Sequence, residues 1–248
     1  MIEILIFSLI PFIGSILQTS MGFGNGVLIM AILPFILPFG KAVAFNQISC
    51  LFLTVLVVSK MWRKIRWSVL IPILIPMGIS TILFTLWSFS FDQSILKMLL
   101  GVVFIILVLV FLLSKKGISI KPTPLKGAVM GVISGLSNGF TGISGPPAAM
   151  YLRPSIENND EYIATIQCFF LFQSTIGLVS RMGLGALDRG DIGFLIVVLV
   201  STFLGSVIGG KINGKVDSAK MQRYVYIFVG LYGVYVLVSE LINIVIAL

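Results

Sequence analysis

The side chains able to do chemistry in this chain are mostly uncharged. There is no histidine in its 248 residues. That removes histidine proton relays, a Ser/His/Asp triad and the commonest transition-metal ligand. The nine acidic residues are Glu3, Asp92, Glu157, Asp160, Glu161, Asp188, Asp191, Asp217 and Glu240. All but Glu240 fall near predicted helix ends or in loops, and Glu240 belongs to the last turns of the final helix. No carboxylate pair stands in mid-membrane, so neither intramembrane hydrolysis nor carboxylate-coupled Na⁺ or H⁺ movement has a group to carry it. What remains is a set of amides and hydroxyls beside two glycine-rich stretches. The first is Gly22-Phe23-Gly24-Asn25-Gly26, with Gln18, Thr19, Asn46 and Gln47 around it. The second runs from Ser137 to Pro147, with Asn138, Thr141, Gly142, Ser144 and Gly145, and with Gln167 and Gln173 beyond.

Such stretches gain meaning from where they lie. Hydrophobic residues make up 58% of the chain and charged residues 10%, and the mean hydropathy is +1.11. A soluble domain carries about 25% charged residues. Apolar runs long enough to cross a bilayer recur along the whole length and do not alternate as barrel strands do. The chain therefore reads as an all-α polytopic membrane protein, with no cleaved signal peptide at its start. Glycine clusters inside such runs interrupt a helix. In lipid the freed backbone groups must find protein, water or a ligand. A helix restarting after such a break presents free N–H groups and the positive end of its dipole, which favours an anion. Pro146 and Pro147 suit a first helical turn.

Five elements are expected in each half. They are Ile2–Gln18, Gly24–Leu37, Ala42–Ser59, Trp67–Trp87 and Ile95–Leu113, then Leu125–Asn138, Ser144–Leu152, Tyr162–Ser180, Ile192–Gly210 and Tyr224–Val245. The halves match each other. An offset of 120 positions pairs Gly22 with Gly142, Met30 with Met150, Pro34 with Pro154, Gln47 with Gln167 and Phe52 with Phe172. An offset of 124 pairs Ser94 with Ser218 and Phe104 with Phe228. Residues 1–114 are thus expected to form a first repeat and 125–248 a second, joined by a basic link at 115–124. Matching interruptions in two halves point to a transporter's central site, with Gln47 and Gln167 facing each other across it.

The net charge of +8 does not imply nucleic-acid binding, because the basic residues cluster in short loops. Lys60, Arg63, Lys64 and Arg66 form one cluster. Lys115, Lys116, Lys121 and Lys126 form the next, and Lys211, Lys215, Lys220 and Arg223 the third. The positive-inside bias places all three in the cytoplasm. The third cluster corresponds by repeat to the sparse Ser88–Ser94 loop, so the two halves are expected to be inverted, with eight to ten elements in total and both termini outside. A parallel duplication is the alternative. Cys50 and Cys168 do not correspond under the repeat and are expected to be apolar thiols. Arg153 is expected to snorkel at an interface, and Trp62, Trp67 and Trp87 to anchor span ends.

At the two breaks the sequence resembles the sulfite exporter TauE/SafE family of membrane permeases. The residues that carry the resemblance are Gly22-Phe23-Gly24-Asn25-Gly26 and Thr141-Gly142-Ile143-Ser144-Gly145-Pro146-Pro147. It extends over essentially the whole chain, and it implies transport, usually export, of sulfite, sulfonates or related organic anions. The first motif departs from the common form by placing Asn25 between Gly24 and Gly26. The expectation is a non-enzymatic plasma-membrane permease, with no cofactor and no metal. Its substrate would be a small oxyanion held by Gln18, Thr19, Gly22, Gly24, Asn25, Gly26, Asn46, Gln47, Asn138, Thr141, Gly142, Ser144, Gly145 and Gln167. The bilayer is its other partner, and a homodimer is possible. The rival readings are a membrane scaffold that carries no solute and a cation or metal permease.

Overall fold

A computed structural model describes residues 2–21, 24–114, 123–212 and 218–247. Gly22, Phe23, Lys115, Lys116, Lys121 and Lys215 lie outside the described residues. Ten α-helices and no strand occur among the described residues. They are α1 Ile2–Met21, α2 Asn25–Ile32, α3 Phe39–Met61, α4 Trp67–Ser88, α5 Gln93–Ser114, α6 Pro124–Thr141, α7 Gly145–Ser155, α8 Asn159–Gly183, α9 Ile192–Ile212 and α10 Ser218–Ala247. Every expected element is present, most of them a few residues longer than expected.

Local sequence explains the boundaries. The Thr123 hydroxyl caps α6 by accepting from the Lys126 N–H, and Pro124 occupies the first turn. The Asn158 side chain accepts from the Asp160 and Glu161 N–H groups to start α8. Pro34 turns the end of α2 into a 3-10 turn at Leu33–Phe35, and Pro38 precedes α3. Among the described residues five helices are long and apolar enough to cross a membrane: Phe39–Lys64, Trp67–Ser88, Gln93–Val110, Asn159–Gly183 and Arg189–Ile212. By contrast α2 has 8 residues and α7 has 11. At 1.5 Å per residue these reach roughly 12 and 16 Å against a hydrocarbon core of about 30 Å. They are half-spans that begin inside the bundle.

Small residues allow the helices to approach backbone to backbone, the usual membrane packing device. A Cβ on Gly131 or Gly135 of α6 would stand 2.3 Å from the Ile73 carbonyl oxygen or 2.5 Å from that of Met77 on α4. On the other side of the bundle, Gly205 and Gly209 of α9 bring it equally close to α1, at the Phe12 and Ile16 carbonyls. Both pairs run parallel. The pairing is crosswise: the first helix of each half lies along the fourth helix of the other.

The third and the fifth helices pair with their own counterparts, and these pairs run antiparallel. Where α3 ends, Lys64 meets Asp160 at 2.6 Å and Arg66 meets Glu161 at 3.0 Å, beside the start of α8. Where α3 begins, Lys41 meets Asp188 at 3.0 Å and Asp191 at 2.9 Å, beyond the end of α8. Gly101 of α5 faces Gly233 of α10, and Lys97 reaches Glu240 at 3.7 Å. Glu240 is thus buried between α5 and α10 against a cation near the start of α5.

These pairings sort the charges. One end of the bundle carries the Lys60–Arg66 turn, the start of α6 with Lys126 and the end of α9 with Lys211. The opposite end carries Lys41, Asp188 and Asp191. The outer surface is apolar, as at Ile71, Ile75, Ile79 and Leu83 on α4 and Ile196, Val200 and Leu204 on α9, whereas Asn25, Asn46, Gln47, Thr81 and Asn138 are buried. Polar groups inside and apolar groups outside are what lipid solvent requires.

Candidate functional site

The two helix breaks converge on the middle of α3. At the first, Gly24 adopts φ 125°, a conformation that side chains rarely allow, and α2 restarts without a side-chain cap. Asn25, fully buried, donates from Nδ2 to Ser49 Oγ at 2.8 Å, and Ser49 pairs with Thr202 Oγ1 of α9 at 2.8 Å. Its Oδ1 has no partner and faces the backbone of Gly14. At the second break Gly142 adopts φ 73°, and its N–H closes α6 on the Asn138 carbonyl at 2.8 Å. A Cβ there would meet Val43 Cγ1 at 2.5 Å.

Asn46 joins the two. Its Nδ2 donates to the Gly142 carbonyl at 3.1 Å. Its Oδ1 lies 3.0 Å from where a Cβ on Gly26 would stand. One amide of α3 is therefore wedged between both restarts.

Asn138 is the hub of a second, adjoining network. Its Oδ1 accepts from Gln47 Nε2 at 3.2 Å and from Gln173 Nε2 at 2.9 Å. Its Nδ2 donates to Thr81 Oγ1 at 3.3 Å and to the Gln173 carbonyl at 3.4 Å. Ser144 Oγ donates to Gln173 Oε1, while Gln47 Oε1 is buried with no partner. Side chains from α3, α4, α6 and α8, and Ser144 before α7, thus share one polar layer. The donors at the two restarts are unequal. Pro146 and Pro147 remove two N–H groups from the first turn of α7, whereas α2 begins with Asn25, Gly26 and Val27.

The layer brings together Asn25, Gly26, Asn46, Gln47, Asn138, Gly142 and Ser144. Other expected members stand apart. Thr19 bonds back to the Ser15 carbonyl at 2.8 Å and packs on Gly209 of α9. Thr141 bonds back to the Ser137 carbonyl. Gly145 faces Phe170, and Gln18 is buried on α1 before the break. Gly22 lies outside the described residues. Gln47 and Gln167 do not face each other. Gln47 packs against Gly177, ten residues along α8 from Gln167, or roughly 15 Å at 1.5 Å per residue. Antiparallel helices bring equivalent positions together only at their crossing point.

Sequence reasoning missed a cation. The expected third element of the second half ended at Ser180, but α8 continues to Gly183 and buries Arg181 to 1% exposure. Its Nη2 donates to the carbonyls of Gly139 at 2.6 Å and Asn138 at 3.2 Å, and its Nη1 to Thr85 Oγ1 at 3.3 Å and the Gly177 carbonyl at 3.4 Å. It makes no ion pair with any described residue. The site is therefore not neutral, as the amides alone suggested, but adjoins one positive charge. Five of the nine acids, Asp160, Glu161, Asp188, Asp191 and Glu240, pair with a lysine or arginine elsewhere, and no described acid pairs with Arg181; no cluster of metal-ligating side chains occurs among the described residues.

A pair of broken helices enclosing a buried polar layer is the pattern of a membrane transporter's central site. The family model of the sulfite exporter TauE/SafE matches residues 7–236. The chain belongs to that family. This TauE/SafE protein is accordingly a membrane transporter. No curated protein and no solved structure matches it. Both of its glycine motifs lie within the matched residues, as does all of the polar layer. Its cysteines are free, and Arg153 sits exposed with its guanidinium 4.9 Å from the Tyr162 ring, as an interface residue does.

Proposed function

We propose that this transporter exports small sulfur oxyanions, sulfite or sulfonates, across the plasma membrane, and that they bind in the polar layer between the two broken helices. The observation that carries the reading is Asn46, which contacts both breaks at once. A ligand exchanging hydrogen bonds with this layer would sense the conformation of both halves. The antiparallel pairing of α3 with α8 and of α5 with α10 supports two inverted repeats, residues 1–114 and 125–248, linked by 115–124. With the basic end of the bundle in the cytoplasm, rocking of one repeat against the other would expose the layer alternately.

Arg181 supports an anion as cargo. A second reading, a cation permease, draws on the unpartnered acceptors Asn25 Oδ1 and Gln47 Oε1. A buried guanidinium with no acidic partner beside the layer opposes a cation there. A protonated oxyanion or a water would serve the same acceptors. No carboxylate stands in the layer to carry a coupling proton, so the driving force is the membrane potential. It favours exit of a monovalent anion by about 2.3 kcal/mol per 100 mV.

The test is efflux from proteoliposomes loaded with sulfite, under imposed potentials of either sign, with and without a pH gradient. Saturable flux that follows voltage alone is the expected result. Flux that requires the pH gradient would keep the transporter and defeat the uncoupled mechanism. Silence toward sulfite, sulfonates and small carboxylates would defeat the anion reading.

A further inference from the structure

At the end of the bundle opposite the basic loops, a cavity of about 150 Å³ opens among the start of α3, the α4–α5 turn, the end of α6 and α8. Phe39, Phe89, Phe91 and Phe140 form its walls, and Ser88 and Arg181 supply polar groups. Phe140 packs edge-on against Phe91 with ring centroids 5.7 Å apart and lies 5.9 Å from the Trp87 ring, so this mouth is narrow and aromatic.

Arg181 is costly where it stands. A buried guanidinium in a membrane-spanning helix needs a counter-charge or a full set of acceptors. Here it has neutral acceptors only: three backbone carbonyls and a hydroxyl. Two of those carbonyls, of Asn138 and Gly139, are at the C-terminus of α6, where the helix dipole partly offsets the charge. A helix cap would use a cation, but a cap needs no cavity. This cation lines one, with aromatic walls that lower the local dielectric and strengthen its attraction for an anion.

We propose that Arg181 and this cavity form a second anion station, a vestibule on the side from which the oxyanion leaves, distinct from the polar layer. The inference rests on the anion reading above. The same guanidinium links the two stations, because the residue whose carbonyl it holds, Asn138, is the hub of the layer through its side chain. An anion reaching the vestibule competes with the Asn138 and Gly139 carbonyls for the guanidinium. Occupancy there loosens the end of α6 next to Gly142, so exit and the movement of the break are coupled.

The test uses the full-length protein in proteoliposomes with sulfite as probe. Arg181→Gln is expected to raise the KM for sulfite at least tenfold and to erase discrimination between anions and cations in reversal-potential measurements. Arg181→Lys, which keeps the charge, is expected to retain the discrimination. A purely structural cap would lower thermal stability and the active fraction and leave KM and selectivity unmoved, which would overturn the proposal. Should Arg181→Gln not fold, Gly40→Trp decides. A Cβ at Gly40 meets only Phe89 Cζ, at 3.7 Å, so a side chain is tolerated at this lining position and fills the cavity. Unchanged sulfite KM and rate in Gly40→Trp would overturn the vestibule. A wild type silent toward every oxyanion overturns the transport reading and this inference with it. A wild type that transports while both variants match it overturns this inference alone.

Discussion

A carboxylate introduced at the hub tests the sign of the cargo. In Asn138→Asp the side chain keeps its shape, and one oxygen still accepts from Gln47 Nε2 and Gln173 Nε2. The lost donations, to Thr81 Oγ1 at 3.3 Å and to the Gln173 carbonyl at 3.4 Å, are the longer bonds of the hub. Hydrogen bonds between membrane helices average about 0.6 kcal/mol each, so their loss costs roughly 1 kcal/mol, which folding tolerates. The electrostatic effect is larger. An anion held by the amides beside Asn138 stands roughly 7 Å from the new charge, and at an effective dielectric of about 20 the repulsion is about 2 kcal/mol. That corresponds to roughly thirtyfold weaker binding. The neutral control Asn138→Ser removes the same donations and adds no charge. Sulfite KM in proteoliposomes is expected to rise about thirtyfold for Asn138→Asp and severalfold at most for Asn138→Ser. Equal KM values for the two folded variants would refute an anion in the layer. Tighter binding of a monovalent cation by the aspartate variant would favour the cation reading.

Three further outcomes follow from the geometry. Gly142→Ala must hold a φ near 73° and meets Val43 at 2.5 Å. It is expected to lose more than about 1–2 kcal/mol, the cost of left-handed backbone alone, whereas Gly145→Ala, which meets only Phe170 at 3.6 Å, should stay within about 0.5 kcal/mol of wild type; thermal melts in detergent compare them. Gln47→Ala is expected to raise sulfite KM more than Gln167→Ala, since Gln47 bonds the hub and Gln167 lies well along α8; the reverse order would misplace the site. Hydrogen bonding to Lys41 holds the Asp188 carboxyl below its ordinary value of 3.8. A depressed carboxylate contributes stability above its unfolded value and loses it as the pH falls through the folded one. Acid below about pH 4 should therefore lower the wild-type melting temperature more than that of Lys41→Met, and identical acid profiles would remove the role assigned to this pair.

The elements were legible because membrane helices are long, apolar and punctuated by few residue types. Pro34, Pro38, Pro124 and the glycines around positions 24 and 142 mark the boundaries that the structure shows. Of the basic clusters, Lys60, Arg63, Lys64, Arg66, Lys126 and Lys211 share one end of the bundle. The site was legible as a set of residue types and less so as a geometry. Gln47 and Gln167 occupy matching positions, and sequence alone suggested that they meet. The antiparallel crossing of α3 and α8 sets them on either side of the crossing level, and Asn138 and Gln173 fill the place opposite Gln47. Arg181 was illegible for a different reason. An arginine at the end of an apolar run reads as an interface anchor, and only the fold shows that the start of α3 and the α4–α5 turn close over it.

The proposed duplication explains the scaffold but only part of the chemistry: Gln47 corresponds to Gln167 and Asn138 to Gln18, but several groups that would act on an anion have no counterpart in the other half. At the repeat offset of 120, Arg181 corresponds to Met61, Gln173 to Leu53, Asn25 to Gly145 and Ser144 to Gly24. The first half thus brings an amide and free N–H groups at its restart. The second brings the cation, the hub and a proline-blocked restart. Two inverted halves with identical chemistry would present the same affinity to both sides of the membrane. Here the only buried cation among the described residues lies toward the end opposite the basic loops. An anion leaving the polar layer in that direction meets a buried, weakly screened guanidinium, and one leaving the other way meets only exposed basic side chains. The asymmetry gives an anion unequal affinity at the two mouths, tighter at the aromatic one, so under the proposed export reading the two directions differ in rate at a given concentration, while the gradient and the potential still set the net flow. Moving the cation across the repeat, in Met61→Arg with Arg181→Met, should therefore weaken voltage-driven efflux relative to uptake in proteoliposomes of known orientation. An unchanged ratio of the two rates would show that their difference owes nothing to where this charge sits.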